Sequence, residues 1–169
     1  YVVKNYLTMK QQTENCPICE SISLIKKDQN KYFVAELETG YVILGDRQYF
    51  KGYTLFLCKE HITELHFLEN DFKTKFLLEL TYVSEAVYNA FKPHKLNYEI
   101  LGTVCPHLHW HIFPRYKEEP EVKDPVWFKN IELAKSDEVI PNENELSEMK
   151  KVLVSDLGKI EGIKSIFEI

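Results

Sequence analysis

The sequence predicts an α+β fold, and three observations carry the prediction. Four segments before residue 102 are rich in Val, Ile, Tyr, Phe and Leu and read as strands: 31–37 "KYFVAEL", 41–45 "YVILG", 53–58 "YTLFLC" and 96–101 "LNYEIL". One stretch among them, from Phe72 through Phe76, Leu80, Val83, Val87 and Phe91, repeats its apolar residues at the three/four spacing of a single helical face. Residues 107–113 then alternate His-Leu-His-Trp-His-Ile-Phe, the period of a strand with two unlike faces. A helix laid on one face of an antiparallel sheet is an α+β domain.

Taken in order, the first two strands are joined by the short turn "ETG". The long helix starts at Asn70 or Asp71, either of which can cap it, and Pro93 lies just past its end. On the alternating strand, Leu108, Trp110 and Ile112 face one side and pack under the helix, so the three histidines face the other. After Tyr116 comes charged, proline-bearing loop, "KEEPEVKDP". A second amphipathic helix follows, with Asn142 as cap, Glu145 at the capping-box position and Leu146, Met149, Leu153 and Leu157 on its apolar face. That face packs on the domain or on a partner subunit. The chain opens on Tyr1, and "YVVKNYL" reads either as a trimmed start or as an extra edge segment.

Bulk properties narrow the function. The 169 residues suffice for one domain with a real core and are short for two. A net charge of −5 and a pI near 5.7 argue against a nucleic-acid polymer as partner, since a phosphate-reading surface is basic. No apolar run reaches the roughly 20 residues that span a bilayer, and no signal-peptide pattern is read at the start, so the expectation is a cytoplasmic protein with no membrane partner.

The chemistry concentrates in "VCPHLHWHIFPRY", residues 104–116, where His107, His109 and His111 take every second position. On a straight strand His107 and His111 would stand about 13 Å apart, so the three converge poorly on one ion. They are better placed to line a substrate. Cys16 and Cys19 form a C-x-x-C pair, which zinc takes with two further ligands, and His61 and His107 are in place to complete Cys₂His₂. A redox pair and two ordinary thiols are the other readings, although no strand precedes "CPIC" as a thioredoxin-like site requires. Cys58 reads as core filler, Cys105 as a buried thiol, and His66 and His94 as surface. Trp127 either closes over a substrate or anchors the tail.

"PHLHWHIFPRY" resembles the H-φ-H-φ-H-φ-φ signature, with its following "PRY", of the histidine-triad nucleotide hydrolases and transferases. "GYTLFLCKEH" resembles that family's G-H-T-L-φ-φ-P-K-x-H stretch, with Cys58 in place of the usual proline, and "CPICE" resembles the cysteine pair of its zinc-bearing members. The resemblance spans residues 16–127, leaving 1–15 as an N-terminal extension and 128–169 as a tail carrying the amphipathic helix.

It implies a HIT-like fold, a five-stranded antiparallel sheet with the long helix packed on it, and a homodimer. His109 would attack the α-phosphorus of a nucleotide and form a covalent nucleotidyl-histidine that water resolves. His111 would contact the phosphate and help protonate the leaving group. His107 would ligate a structural zinc with Cys16, Cys19 and His61. A histidine at the third position, where transferase branches carry glutamine, points to the hydrolase-like branches. Thr103 is the implied hydroxyl donor to phosphate. Glu38, ahead of Glu36 and Asp46, is the implied acid for the ribose hydroxyls. The substrates implied are dinucleoside polyphosphates or nucleoside phosphoramidates, with Mg²⁺ admitted beside a polyphosphate. Two alternatives stay open: a non-catalytic nucleotide-binding or adaptor module, and a metalloenzyme whose triad holds a catalytic metal.

Overall fold

The computed structural model describes residues 15–120, 123–159 and 165–166; the readings of residues 1–14 lie outside these. Its elements are α1 (Pro17–Ile25), β1 (Phe33–Glu36), β2 (Gly40–Leu44), β3 (Thr54–Cys58), α2 (Asn70–Phe91), β4 (Lys95–Glu99), β5 (His109–Arg115), α3 (Ile131–Lys135), α4 (Glu143–Leu157) and β6 (Ser165–Ile166). The strands lie in the order β4-β5-β3-β2-β1-β6, and every pairing is antiparallel. The five expected strands are therefore present, and the two-residue β6 extends the β1 edge.

Two helices cover one face of the sheet. The apolar side of α2, with Phe76, Leu80, Val83 and Val87, meets Val34, Val42, Phe56 and Ile112 from the strands. Phe56 and Phe76, both fully buried, stack at 5.0 Å. Each such ring contributes about 2–3 kcal/mol through burial. The capping box of Asn142 and Glu145 starts α4, whose Leu146, Met149, Leu153 and Leu157 join the same core. The tail helix thus packs on its own domain.

The start of α2 differs from expectation. Glu69 occupies the cap position without a side-chain bond, while Asn70 and Asp71 lie inside the helix. It ends at Lys92, which turns left-handed at φ 48° just before Pro93.

The opposite face carries α1, which the sequence reading did not predict. Cys16 caps it, its Sγ accepting from the Cys19 N–H at 3.4 Å, and Pro17 occupies the first turn. Ile18, Ile22 and Ile25 pack against Tyr41 and Leu57. Among the described residues, no helix is long and apolar enough to cross a membrane.

Candidate functional site

Strand register decides which side chains share the histidine face, because directly paired residues point the same way. His109 lies opposite Leu57, and Leu57 opposite Tyr41. His111 lies between Leu55 on β3 and Glu99 on β4. Trp110 and Ile112 point the other way, into the helical core.

His107 departs from the expectation that all three histidines sit on one strand. β5 begins at His109, and His107 precedes it in the connection from β4. Leu108 keeps the connection attached to the sheet: its carbonyl accepts from Cys58 N–H at 3.1 Å and its N–H donates to Ile62 at 2.7 Å. His107 is buried, and its Nε2–H donates to the Cys58 carbonyl at 2.8 Å. That bond leaves the Nδ1 lone pair facing the cysteines, 3.5 Å from Sγ of both Cys16 and Cys19.

His61 completes the group, with Nδ1 3.1 Å from the Cys19 Sγ and its ring edge-on to His107 at 4.9 Å. One ligand atom from each of the four residues lies within 4.8 Å of all the others. Tetrahedral zinc at its usual bond lengths of about 2.3 Å to S and about 2.0–2.1 Å to N sets its donors roughly 3.3–3.8 Å apart, close to the 3.1–3.5 Å contacts from the cysteine sulfurs to the two rings. Two thiols and two imidazoles are also the donor chemistry zinc selects. Without a metal, burial and then the adjacent Cys16 push the Cys19 thiol up to about 12. Burial, with smaller contributions from His61 and His109, holds His107 down to about 4.

The other two histidines make a different kind of site. His109 Nδ1 donates to the His107 carbonyl at 2.5 Å, so Nε2 keeps its lone pair. His111 Nδ1 meets the Tyr53 hydroxyl at 2.5 Å. The two rings stand 4.6 Å apart, closer than strand rise alone gives, because they lean together. Burial lowers the pKa of both, against the His107 carbonyl bond at His109 and aided by His109 at His111, which falls to about 4. Burial thus favours the neutral form of both rings.

The structure does not bring Glu38 to the histidines, which corrects its first ranking. Its N–H bonds Glu79 of α2 at 3.1 Å and its exposed carboxylate reaches Lys75 of α2 at 3.5 Å, on the helical side. Glu36 is tied to Lys59. Asp46, just after β2, is the acid whose charge acts on Tyr53 beside His111. Thr103 is exposed on the β4–β5 connection and makes no hydrogen bond among the described residues. Trp127 is 55% exposed, which does not suit an anchor of the tail.

Tyr53 and Glu99 are the site residues that the sequence reading missed. A period-two count back from the end of β4 would have placed Glu99 with Asn97 and Lys95 on one face.

Comparisons with known proteins agree with this outline. A family model described as HIT domain matches residues 26–118. Protein hit of Bacillus subtilis (strain 168) is 30% identical over 108 residues, which is 61% of this chain and 72% of that protein. A histidine triad protein from Marinobacter aquaeolei VT8 superposes with a TM-score of 0.63 at 23% identity, over 79% of this chain and 94% of that one. A Zn-bound histidine triad family protein from Mycobacterium smegmatis gives 0.59 at 17%, over 87% of this chain and 96% of that one. At these identities the structural likeness speaks for the fold.

Proposed function

The chain belongs to the HIT domain family, whose members include nucleotide hydrolases and non-catalytic proteins, and on that premise we propose that it is a nucleotide hydrolase. It cleaves a phosphoanhydride or phosphoramidate at the α-phosphate of a dinucleoside polyphosphate or nucleoside phosphoramidate. The observation that carries this reading is His109: a neutral ring with Nδ1 tied to a carbonyl, Nε2 unprotonated, and a second imidazole 4.6 Å away.

The lone pair of His109 Nε2 forms a bond to the α-phosphorus. The bond from that phosphorus to the leaving group breaks, and its electron pair departs with the leaving atom. His111 provides that atom with a hydrogen bond, and an amine leaving group takes up a proton from solvent. Water then attacks the phosphorus, the N–P bond returns its pair to Nε2, and the proton lost by water goes to solvent. Asp46 replaces Glu38 as the acid assigned to the ribose hydroxyls, and Thr103 remains the hydroxyl assigned to phosphate.

Cys16, Cys19, His61 and His107 would hold zinc, which would pin α1 to the sheet and take no part in the reaction. Mg²⁺ would enter only with a polyphosphate substrate. Membership of His107 in the cysteine cluster leaves only two imidazoles of the triad, fewer than the three protein ligands of a catalytic zinc, and argues against the triad itself holding a catalytic metal. The partner proposed is a second copy, laid across the open groove where Leu80, Ser84 and Tyr88 of α2 meet Leu96 and Tyr98 of the edge strand β4.

The test is to trap the intermediate. The protein is mixed with a nucleoside phosphoramidate or a dinucleoside polyphosphate, quenched, digested and mapped by mass. A nucleotidyl adduct on His109 is expected. A folded protein that binds nucleoside monophosphate yet never forms the adduct is instead a non-catalytic member.

A further inference from the structure

His109 and His111 offer the same ring to two different partners, and the partners favour opposite tautomers. A carbonyl only accepts, so the proton of His109 sits on Nδ1. A hydroxyl can donate or accept, so the surroundings of Tyr53 decide the case of His111. Among the described residues, the Tyr53 hydroxyl has no hydrogen-bond partner other than His111 Nδ1. Donation to that nitrogen satisfies both groups, whereas the reverse leaves a half-buried O–H pointing at no protein acceptor among the described residues. Burial, with the charges of Asp46 and Glu99 nearby, also raises the phenol pKa, so the proton stays on oxygen.

The tyrosine ring is held in place from several sides. It stacks on Phe113 at 4.5 Å and 2°, and runs parallel to His111 at 5.9 Å and 6°. At Gly45 on the other side, an added Cβ would lie 2.2 Å from Tyr53 Cδ1. Glycine at 45 therefore makes room for the ring that reaches His111.

We infer that Tyr53 is a positioning residue that donates its hydroxyl proton to Nδ1 of His111 and so holds His111 as the Nε2–H tautomer, opposite to His109. Its catalytic meaning rests on the hydrolase reading above: one Nε2 attacks phosphorus, and the other Nε2 carries a hydrogen toward the leaving atom. Tyr53 touches no reacting atom and acts through His111.

Long-range ¹H–¹⁵N spectra of the histidine-labelled full chain at pH 7.5 test this directly. His109 should show a protonated Nδ1 and His111 a protonated Nε2. Tyr53→Phe keeps the stack on Phe113 and removes the donor, and should shift His111 toward a mixture of tautomers while His109 stays as it was. Gly45→Ala, which displaces the ring but keeps the hydroxyl, should move the His111 signals alone as well. In turnover, Tyr53→Phe should lower kcat at least tenfold with KM little changed. The loss should steepen as the leaving group becomes more basic.

A wild-type His111 protonated at Nδ1, or one whose spectrum ignores Tyr53→Phe, overturns the inference. If Tyr53→Phe fails to fold, the wild-type spectrum alone decides. The spectra read the ring itself, so they stand apart from the absence of a His109 adduct, which would instead sink the hydrolase reading.

Discussion

At His107 the polar atoms turn toward one another, and at His109 and His111 one nitrogen of each ring makes no hydrogen bond among the described residues. Cys16, Cys19, His61 and His107 bring four donor atoms within 4.8 Å, a closed set with no position left for a substrate. His109 and His111 tie each Nδ1 to protein, and among the described residues neither Nε2 makes a hydrogen bond. Three histidines two residues apart thus divide between a four-donor corner and a pair of imidazoles to which the proposed hydrolysis assigns the chemistry. Chain geometry makes the division: His107 precedes the strand, and the other two stand in it. The comparison predicts that the two regions fail differently, one in stability and the other in turnover.

The largest expected effect is on the reactive side. His109→Ala should lower kcat/KM by about 10³-fold or more, since removal of a nucleophile leaves only binding and charge stabilisation. The adduct should disappear, and Tm should stay within a few degrees of wild type because the His109 ring, though buried, belongs to neither apolar cluster. Turnover by His109→Ala within tenfold of wild type would end the nucleophile assignment.

The reverse pattern is expected at the closed corner. Cys16→Ser removes one donor from the cluster that could hold a metal and the sulfur cap of α1 together. A buried ligand set left incomplete costs about 3–5 kcal/mol, or roughly 10 °C in Tm for a chain of this size. Metal analysis should show one zinc per wild-type chain and less in the variant. Limited proteolysis should cut near residues 15–30 first, because α1 rests on a small apolar cluster of Ile18, Ile22, Ile25, Tyr41 and Leu57. Protein that keeps its core should still form the His109 adduct, and its loss ahead of unfolding would show that the corner is not merely structural.

The pH profile sharpens the cleft side. Attack requires neutral imidazole, and burial moves both cleft histidines below the ordinary 6.5, His111 to about 4. The sign follows directly: a depressed pKa keeps the neutral form populated at lower pH. The acidic limb of kcat/KM should therefore lie below pH 6.5, with at most about tenfold lost per pH unit below the limb. A limb at or above 6.5 would mean that the cleft rings are solvated like free histidine.

Much of this was legible in the sequence because it depends on local pattern. The apolar spacing of α2 and the capping box of α4 are properties of contiguous residues, and both helices lie where the spacing puts them. The four members of the cluster that could hold a metal were also readable, since the donor types and the C-x-x-C spacing state their own chemistry. What escaped depends on register and stacking. Helix α1 is nine residues long with only three buried isoleucines, and a cysteine cap looks like polar loop. Glu38 and Asp46 cannot be ranked until the β1–β2 turn is seen to face α2. Tyr53 owes its place to a glycine eight residues earlier and an aromatic sixty residues later.

The smallest expected effect concerns the one ion pair beside the metal corner. Lys59 Nζ bonds the Glu36 carboxylate, donates to the Leu37 carbonyl at 2.6 Å, and stands 5.0 Å over the Tyr41 ring. Tyr41 in turn packs against α1, so the ion pair and the proposed metal would brace the same corner. The pair remains partly open to solvent, at 20% and 29% exposure, where screening keeps such interactions within about 1 kcal/mol. Lys59→Met keeps most of the aliphatic stem and removes the charge. It should lower Tm by only about 2–4 °C, leave kcat within twofold, and lose most of its effect in molar salt. A drop as large as that of Cys16→Ser would mean that charge rather than metal holds α1 to the sheet, and would dissolve the contrast between the closed corner and the open cleft.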